Sequence, residues 1–286
     1  MAEPGFCLDH GFKLLRAELT KLPYKPRKKL YIFTFKGLKM NFELSTILVL
    51  SIVSCATLLR STFGFADAMF AMPFLAVIVG LKTATPLMAF VAMTISTTIL
   101  IKNWRDVQIK SAWRLFISSL AGIPLGLWFL KGSHDTFMKL FLAFVIIFFS
   151  AYSLIKPRLT AIKSESPAYI FGFFAGVLGG AYNTNGPPVV IYGSLKKWSP
   201  MTFRATLQGY FFMAGIFICL GHGFAGLWTH AVLGYYLFSL PLVLVFTFVG
   251  GRMNQSIPKG KFDRIIHSLL IVIGLFLLIQ TVQGMI

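Results

Sequence analysis

Acidic side chains are scarce in this sequence. Nine Asp and Glu stand against 27 Lys and Arg in 286 residues, and the four charged types together make up 13% of the chain. That is about half the share found in soluble domains. Hydrophobic residues reach 56% and the mean hydropathy is +0.76. An ordinary water-covered surface is thereby excluded. Strict apolar–polar alternation is missing too, which excludes a membrane β-barrel. The apolar runs are continuous instead: Ala84–Ile101, Thr136–Ile155, Ala231–Gly250 and Ile265–Gln283. Each approaches the length of about 20 residues that a helix needs to cross hydrocarbon. The fold class expected is an all-α polytopic membrane protein.

Other absences narrow the chemistry. The three cysteines, Cys7, Cys55 and Cys219, have no metal-ligand spacing, and burial as small hydrophobes is expected for them. No metal site and no cofactor is implied. No Walker motif occurs, which argues against ATP-driven pumping. Neither GxSxG nor HExxH occurs, and the scattered histidines have no supporting pattern, so an intramembrane enzyme is not expected. No apolar segment with a small-residue cleavage site follows the start, so no cleaved leader is expected.

The formal charge of +18 would suggest nucleic acid in a soluble protein. Here nine basic residues lie in the first 39 positions and most others in short loops, the pattern by which membrane proteins mark their cytoplasmic face. No nucleic-acid partner is expected; the partners are the lipid bilayer and a small anionic substrate, with a homo-oligomer left open. Residues 1–39 form a basic extension, disordered or lying on the membrane surface, and Met40 is an alternative start. Lys102, Arg105, Lys110 and Arg114 make one basic loop, and Lys156, Arg158 and Lys163 another. Lys196, Lys197 and Arg204, then Arg252, Lys259, Lys261 and Arg264, follow, while 221–230 has no Lys or Arg. His222 and His230 flank that loop and are expected on the surface. Counting back places the basic tail on the opposite face. Either the tail does not belong to the mature start, or an early segment is re-entrant.

The chain repeats itself. "PLGLWFLKGSHDTFMKLFLAFVIIFFSAYSLI" closes one half at Ile155, and "FVGGRMNQSIPKGKFDRIIHSLLIVIGLFLLI" closes the other at Ile279. Gly126 matches Gly251, and Trp104 matches Trp228. The domains expected are therefore a first transmembrane repeat over 40–155, a linker over 156–167 and a second repeat over 168–286. Five segments are expected in each: 44–62, 65–81, 84–101, 114–130 and 136–155, then 168–181, 186–195, 202–222, 230–250 and 263–283. At about 1.5 Å per residue, 168–181 and 186–195 are too short to span a core of about 30 Å, so they are expected to be broken half-helices meeting near the midplane. An odd count per half inverts the second repeat, as in many secondary transporters.

The breaks carry the function. In "GGAYNTNGPPVVIYG" (179–193), Gly179 and Gly180 permit non-helical backbone. Asn183, Thr184 and Asn185 can cap freed backbone groups. Pro187 and Pro188 suit the first turn of a helix starting near Gly186. A helix start directs free N–H groups and partial positive charge at an anion, and no carboxylate in this stretch opposes one. The alternative is a kinked packing element with satisfied polar groups.

The first half has its own break in "STFGFADAMFAMPF", with Gly64, Asp67 and Pro73. Asp67 is a carboxylate at membrane depth. It is a candidate proton carrier, an organiser of the site, a structural ion pair with Arg60 or Lys82, or the cap of the next half-helix. Arg204 and Gln208, one turn apart, share a helix face. Arg204 suits an oxyanion or, alternatively, snorkels to lipid heads.

"GGAYNTNGPPVVIYGSLKKWSPMTFRATLQGYFF" closely resembles the second-half signature of the TauE/SafE family of membrane permeases, and "FGFADAMFAMPFLAVIVG" resembles its first-half counterpart. The resemblance covers about 40–285. Many members carry an all-glycine run where this chain has Phe65, Ala66 and Asp67. The resemblance implies transport of small sulfur-containing anions, such as sulfite or organosulfonates, across the bacterial inner membrane. An anion channel or a non-transporting membrane assembly protein is the alternative.

Overall fold

The computed structural model describes residues 31–35, 38–42, 44–132, 134–155, 162–256 and 261–284. The chain divides into two compact units, Met1–Leu44 and Ser45–Ile286. In the first, β1 (Tyr31–Phe35) pairs antiparallel with β2 (Leu38–Phe42), Tyr31 opposite Phe42 and Phe35 opposite Leu38. These strands lie at the end of the expected basic extension and just past it, with Met40 inside β2, and every element that follows is helical, as the expected class requires. YIFTF is aromatic and β-branched, which suits a pleated strand, and hydropathy tuned to membrane helices passes over so short a run. Residues 1–30, Cys7 among them, lie outside the described residues.

The remaining elements are helices: α1 (Leu44–Phe63), α2 (Asp67–Ile78), α3 (Leu81–Asn103), α4 (Ile109–Gly132), α5 (Asp135–Ile155), α6 (Pro167–Tyr182), α7 (Gly186–Leu195), α8 (Pro200–Phe224), α9 (His230–Ser256) and α10 (Lys261–Gln283). A 3-10 turn, Trp104–Asp106, follows α3. Six of these, α1, α3, α4, α5, α8 and α9, are long and apolar enough to cross a membrane. α6 and α7 are short, as expected. α2 is short as well, where a longer segment over 65–81 was expected. Positive φ at Ala66 (83°) and Gly80 (76°) brackets it, leaving twelve residues, about 18 Å. Pro73, expected at the break, lies inside α2 instead. The turn is made upstream at Gly64–Ala66, and a proline within a membrane helix is tolerated where neighbours cover the freed carbonyl.

α4 and α6 approach closely. A Cβ on Gly122 or Gly126 would collide with the carbonyls of Phe173 or Val177, and one on Gly172 or Gly176 with those of Leu115 or Ser119. At Gly180 it would come within 2.5 Å of the Ile123 carbonyl. This is small-residue packing, by which membrane helices gain dispersion contact without a hydrophobic drive. It also corrects the role expected for Gly179 and Gly180. Both are helical residues of α6, with Gly180 in the seam and Gly179 against Ile218 and Asn185. Across the molecule, α4 meets α6, α5 meets α10, and α3 meets α8 and α9. Gly250 of α9 lies against α1, where a Cβ would sit 2.9 Å from the Leu58 carbonyl.

The start of α6 and the end of α7 lie side by side. Ile162 N–H donates to the Leu195 carbonyl at 3.1 Å, and Lys196 Nζ to the Lys163 carbonyl at 3.2 Å. Glu165 gathers this end. It pairs with Lys196 at 2.6 Å and with Arg114 at 3.4 Å, and accepts from Ser111 and Tyr192 at 2.8 Å each. Partial burial alone would raise its carboxyl pKa. The hydrogen bonds from Lys196, Ser111 and Tyr192, with the Lys196 charge, outweigh that and hold it at about 2, below the ordinary 4.5.

Cys219 is buried as expected, but Cys55 is exposed on α1. So are Phe144, Phe148, Leu237 and Phe276. On a lipid-facing surface apolar exposure carries no penalty, so burial preference does not separate core from lipid.

Two outcomes follow for this packing. Gly176→Val should destabilise by more than about 2 kcal/mol, while Gly251→Ala, with none of the described residues within 4 Å of the new Cβ, should be neutral or slightly stabilising. Thermal unfolding in detergent measures both. The folded pKa of Glu165 is depressed, so its stabilisation is complete above pH 4.5 and is lost as pH falls toward about 2. Glu165→Gln should therefore lower the melting temperature at pH 7 and flatten its fall across that acid window.

Candidate anion site where two helix breaks meet

Both breaks open on one small cleft, walled by Phe65–Met69, Asn183–Pro187 and Phe211. α2 begins at Asp67 and α7 at Gly186, and the side chain of neither N-cap residue, Ala66 or Asn185, caps its helix. The first N–H groups of each helix have no partner within their own helix. Two partial positive charges therefore converge on the cleft.

The first break is made by positive φ at Gly64 (90°) and Ala66 (83°). Ala66 sits within the stretch where the resembled family carries glycine. A left-handed alanine costs about 1–2 kcal/mol. The second break is closed by Asn183 in the left-handed region (φ 53°), whose N–H donates to the Gly179 carbonyl at 2.8 Å. Asparagine tolerates that region better than most residues. Pro187 and Pro188 fall in the first turn of α7, as expected.

The polar side chains of the break were expected to cap freed backbone groups, and two of them do so by donating to carbonyls. Asn183 Nδ2 donates to the Met88 carbonyl of α3 at 2.9 Å. Thr184 Oγ1 donates to the Tyr182 carbonyl at 3.2 Å. Asn185 is 6% exposed and lines the cleft, giving α7 no side-chain cap.

Asp67 does not cap α2. Its carboxylate Oδ2 accepts from Arg60 Nη1 at 2.7 Å. Lys82, the other partner considered, is exposed. Arg60 is 2% exposed, donates through Nη2 to Ser96 at 2.5 Å, reaches Gln208 Oε1 at 3.5 Å, and lies 4.6 Å from the centre of the Phe211 ring. A buried pair of this kind survives only with such further hydrogen bonds. Gln208 is fully buried. Its Nε2 donates to the Gly64 carbonyl at 2.7 Å, so it satisfies the break itself. Arg204 neither snorkels nor hangs free: Nη2 donates to the Ser61 carbonyl at 2.5 Å, and its Cγ lies near Gly64. The Nε atoms of Arg60 and Arg204 are buried without hydrogen-bond partners among the described residues.

The structure thus brings Gly64, Asp67, Asn183, Thr184, Asn185, Gly186, Arg204 and Gln208 to one locality, with Pro187 in its wall. Gly179 and Gly180 lie within α6 behind it, and Pro73 lies one and a half turns into α2. Sequence reasoning named Arg60 only as a partner and missed Ser96 and Phe211. A lone Arg seven residues before a lone Asp, inside an apolar helix, was the available signal for the first; Ser96 and Phe211 carry none in local sequence. His222, expected on the surface, is fully buried in α8 with Nε2 3.1 Å from the Gly180 carbonyl. α8 runs past it to Phe224, which turns that position inward against α6. His230 is exposed, as expected.

Ala66→Gly should raise stability by about 1 kcal/mol by relieving the left-handed alanine, read as a higher melting temperature. An unchanged or lower value would place the strain elsewhere.

The family model described as "Sulfite exporter TauE/SafE" matches residues 49–277. A protein of Cupriavidus necator named "Probable sulfite/organosulfonate exporter TauE" is 25% identical over 183 residues, covering 64% of this chain and 71% of that protein. No solved structure matches significantly.

Proposed function

The chain belongs to the TauE/SafE family, and from that premise we propose that it is a secondary transporter, not an enzyme, for small sulfur-containing anions such as sulfite or organosulfonates. The cleft supports this reading most directly. Two helix starts without a side-chain cap, the buried Arg60 and the part-buried Arg204 face or flank it, with Asp67 as the one carboxylate among the described residues of its wall. That balance of charge suits an oxyanion. The name of the Cupriavidus necator protein narrows the anion to sulfite or an organosulfonate.

In this reading the membrane is the bacterial inner membrane, and the two repeats are inverted. The packing of α4 on α6 and the close approach of Gly250 of α9 to Leu58 and Ser61 of α1 support inversion, because in both cases the fourth helix of one half meets the first of the other. The paired ends of α6 and α7 suit a re-entrant hairpin whose tip reaches the midplane. Alternating access then rocks one half against the other around a fixed cleft. Asn185, Thr184 and the α7 start hold the anion, Arg204 and Gln208 hold the first break, and Asp67 carries the coupled proton.

Flux of sulfite and of an organosulfonate from proteoliposomes tests this. The expected result is saturable flux driven by a pH gradient, with Asn185→Leu and Asp67→Asn each reducing it at least about tenfold while membrane insertion is unchanged. Non-saturating conductance would make the protein a channel. No flux of any anion would leave an assembly role. Wild-type rates in both variants would remove the site assignment.

A further inference from the structure

Arg60 and Asp67 form a complete ion pair in the wall of the cleft, and this poses a problem for anion binding. Charges of +1 and −1 cancel, and the Asp67 carboxylate stands between the guanidinium and the cleft that it lines. An incoming anion would meet a carboxylate, and adding net charge to so buried a place is costly. We propose that Asp67 is a resident stand-in for the transported anion, and that binding is an exchange at Arg60. A proton enters with the anion and joins the Asp67 carboxylate. The Arg60 Nη1 hydrogen bond to Oδ2 is released and remade to an oxygen of the anion. One proton and one negative charge arrive together, so the charge of the site is the same before and after. This rests on the anion-transport reading above and supplies its coupling chemistry.

The surroundings fit the exchange. Arg60 need not move, because Ser96 of α3, Gln208 of α8 and the Phe211 ring hold it from sides other than Asp67. Asp67 is the first residue of α2, so its side chain can turn away without breaking helix backbone. Around the carboxylate, Arg60 of α1 touches it directly. Ser96 and Gln208 act on it through that guanidinium. Arg204 of α8 lies against Gly64, and His267 of α10 stacks on Phe65, 6.1 Å between ring centres.

The test is calorimetric titration of purified wild-type protein with an organosulfonate, a strong acid that stays monoanionic across the pH range. The titration is run in buffers of different ionisation enthalpy. Uptake of about one proton per anion is expected, with Kd rising about tenfold per pH unit through the range where Asp67 is ionised. Asp67→Asn should bind with no pH dependence and, at high pH, more tightly than wild type. Arg60→Gln should bind at least about tenfold more weakly. Binding by the wild type without proton uptake overturns the exchange while leaving the transport reading intact, as does an Asp67→Asn variant that keeps the wild-type pH profile. Failure of the wild type to bind any sulfur oxyanion overturns both. If Asp67→Asn does not fold, the buffer-dependent heats of the wild type decide alone.

Discussion

One buried guanidinium sets the terms for the centre of this molecule. Arg60 sits in an apolar helix at 2% exposure, where an uncompensated charge would cost several kcal/mol. Compensation comes from four directions: Asp67 at the start of α2, Ser96 on α3, and Gln208 and the Phe211 ring on α8. Satisfying Arg60 therefore fixes three other helices around the end of α1. Gln208 carries the constraint further, because its amide also answers the Gly64 carbonyl that the chain break leaves free. The break in the first half is thus held open by side chains of the second half.

The two breaks are built by different means. The first depends on left-handed backbone at Gly64 and Ala66 and on partners supplied from α8. The second depends on left-handed Asn183, on Asn183 and Thr184 answering carbonyls, and on prolines that start α7. In both, the helix that ends is closed and the helix that begins has no side-chain cap from its N-cap residue. Behind them the glycine seam between α4 and α6 leaves backbone against backbone, a contact with little room to deform. The proposed exchange at Arg60 would then need only a side-chain movement within this frame to exchange one counter-charge for another.

Much of this was legible in the sequence, for identifiable reasons. Helix limits were readable because apolar runs end at Gly, Pro and polar clusters. The start of α7 was readable from Gly186-Pro187-Pro188, and the Arg204–Gln208 pair from helical spacing. Other features were hidden because membrane helices blur the usual signals. Cys55 and Cys219 have similar apolar neighbours, yet one faces outward and one inward. Gly179 and Gly180 look like a hinge, but the seam with Gly122 and Gly126 becomes visible only once α4 and α6 are placed together. His222 looked like a loop residue because nothing local shows that α8 continues past it. The reach of Asn183 to Met88, 95 residues away, has no local trace.

The central claim is a location: an anion held in the cleft between the start of α2 and the start of α7. The most direct measurement is the anomalous difference map of crystals grown with a bromine-substituted organosulfonate. The account predicts a bromine peak inside the cleft bounded by Asp67, Asn185 and Phe211, with the sulfonate against the start of α7. A peak confined to the basic loops, with the cleft unchanged, would contradict it.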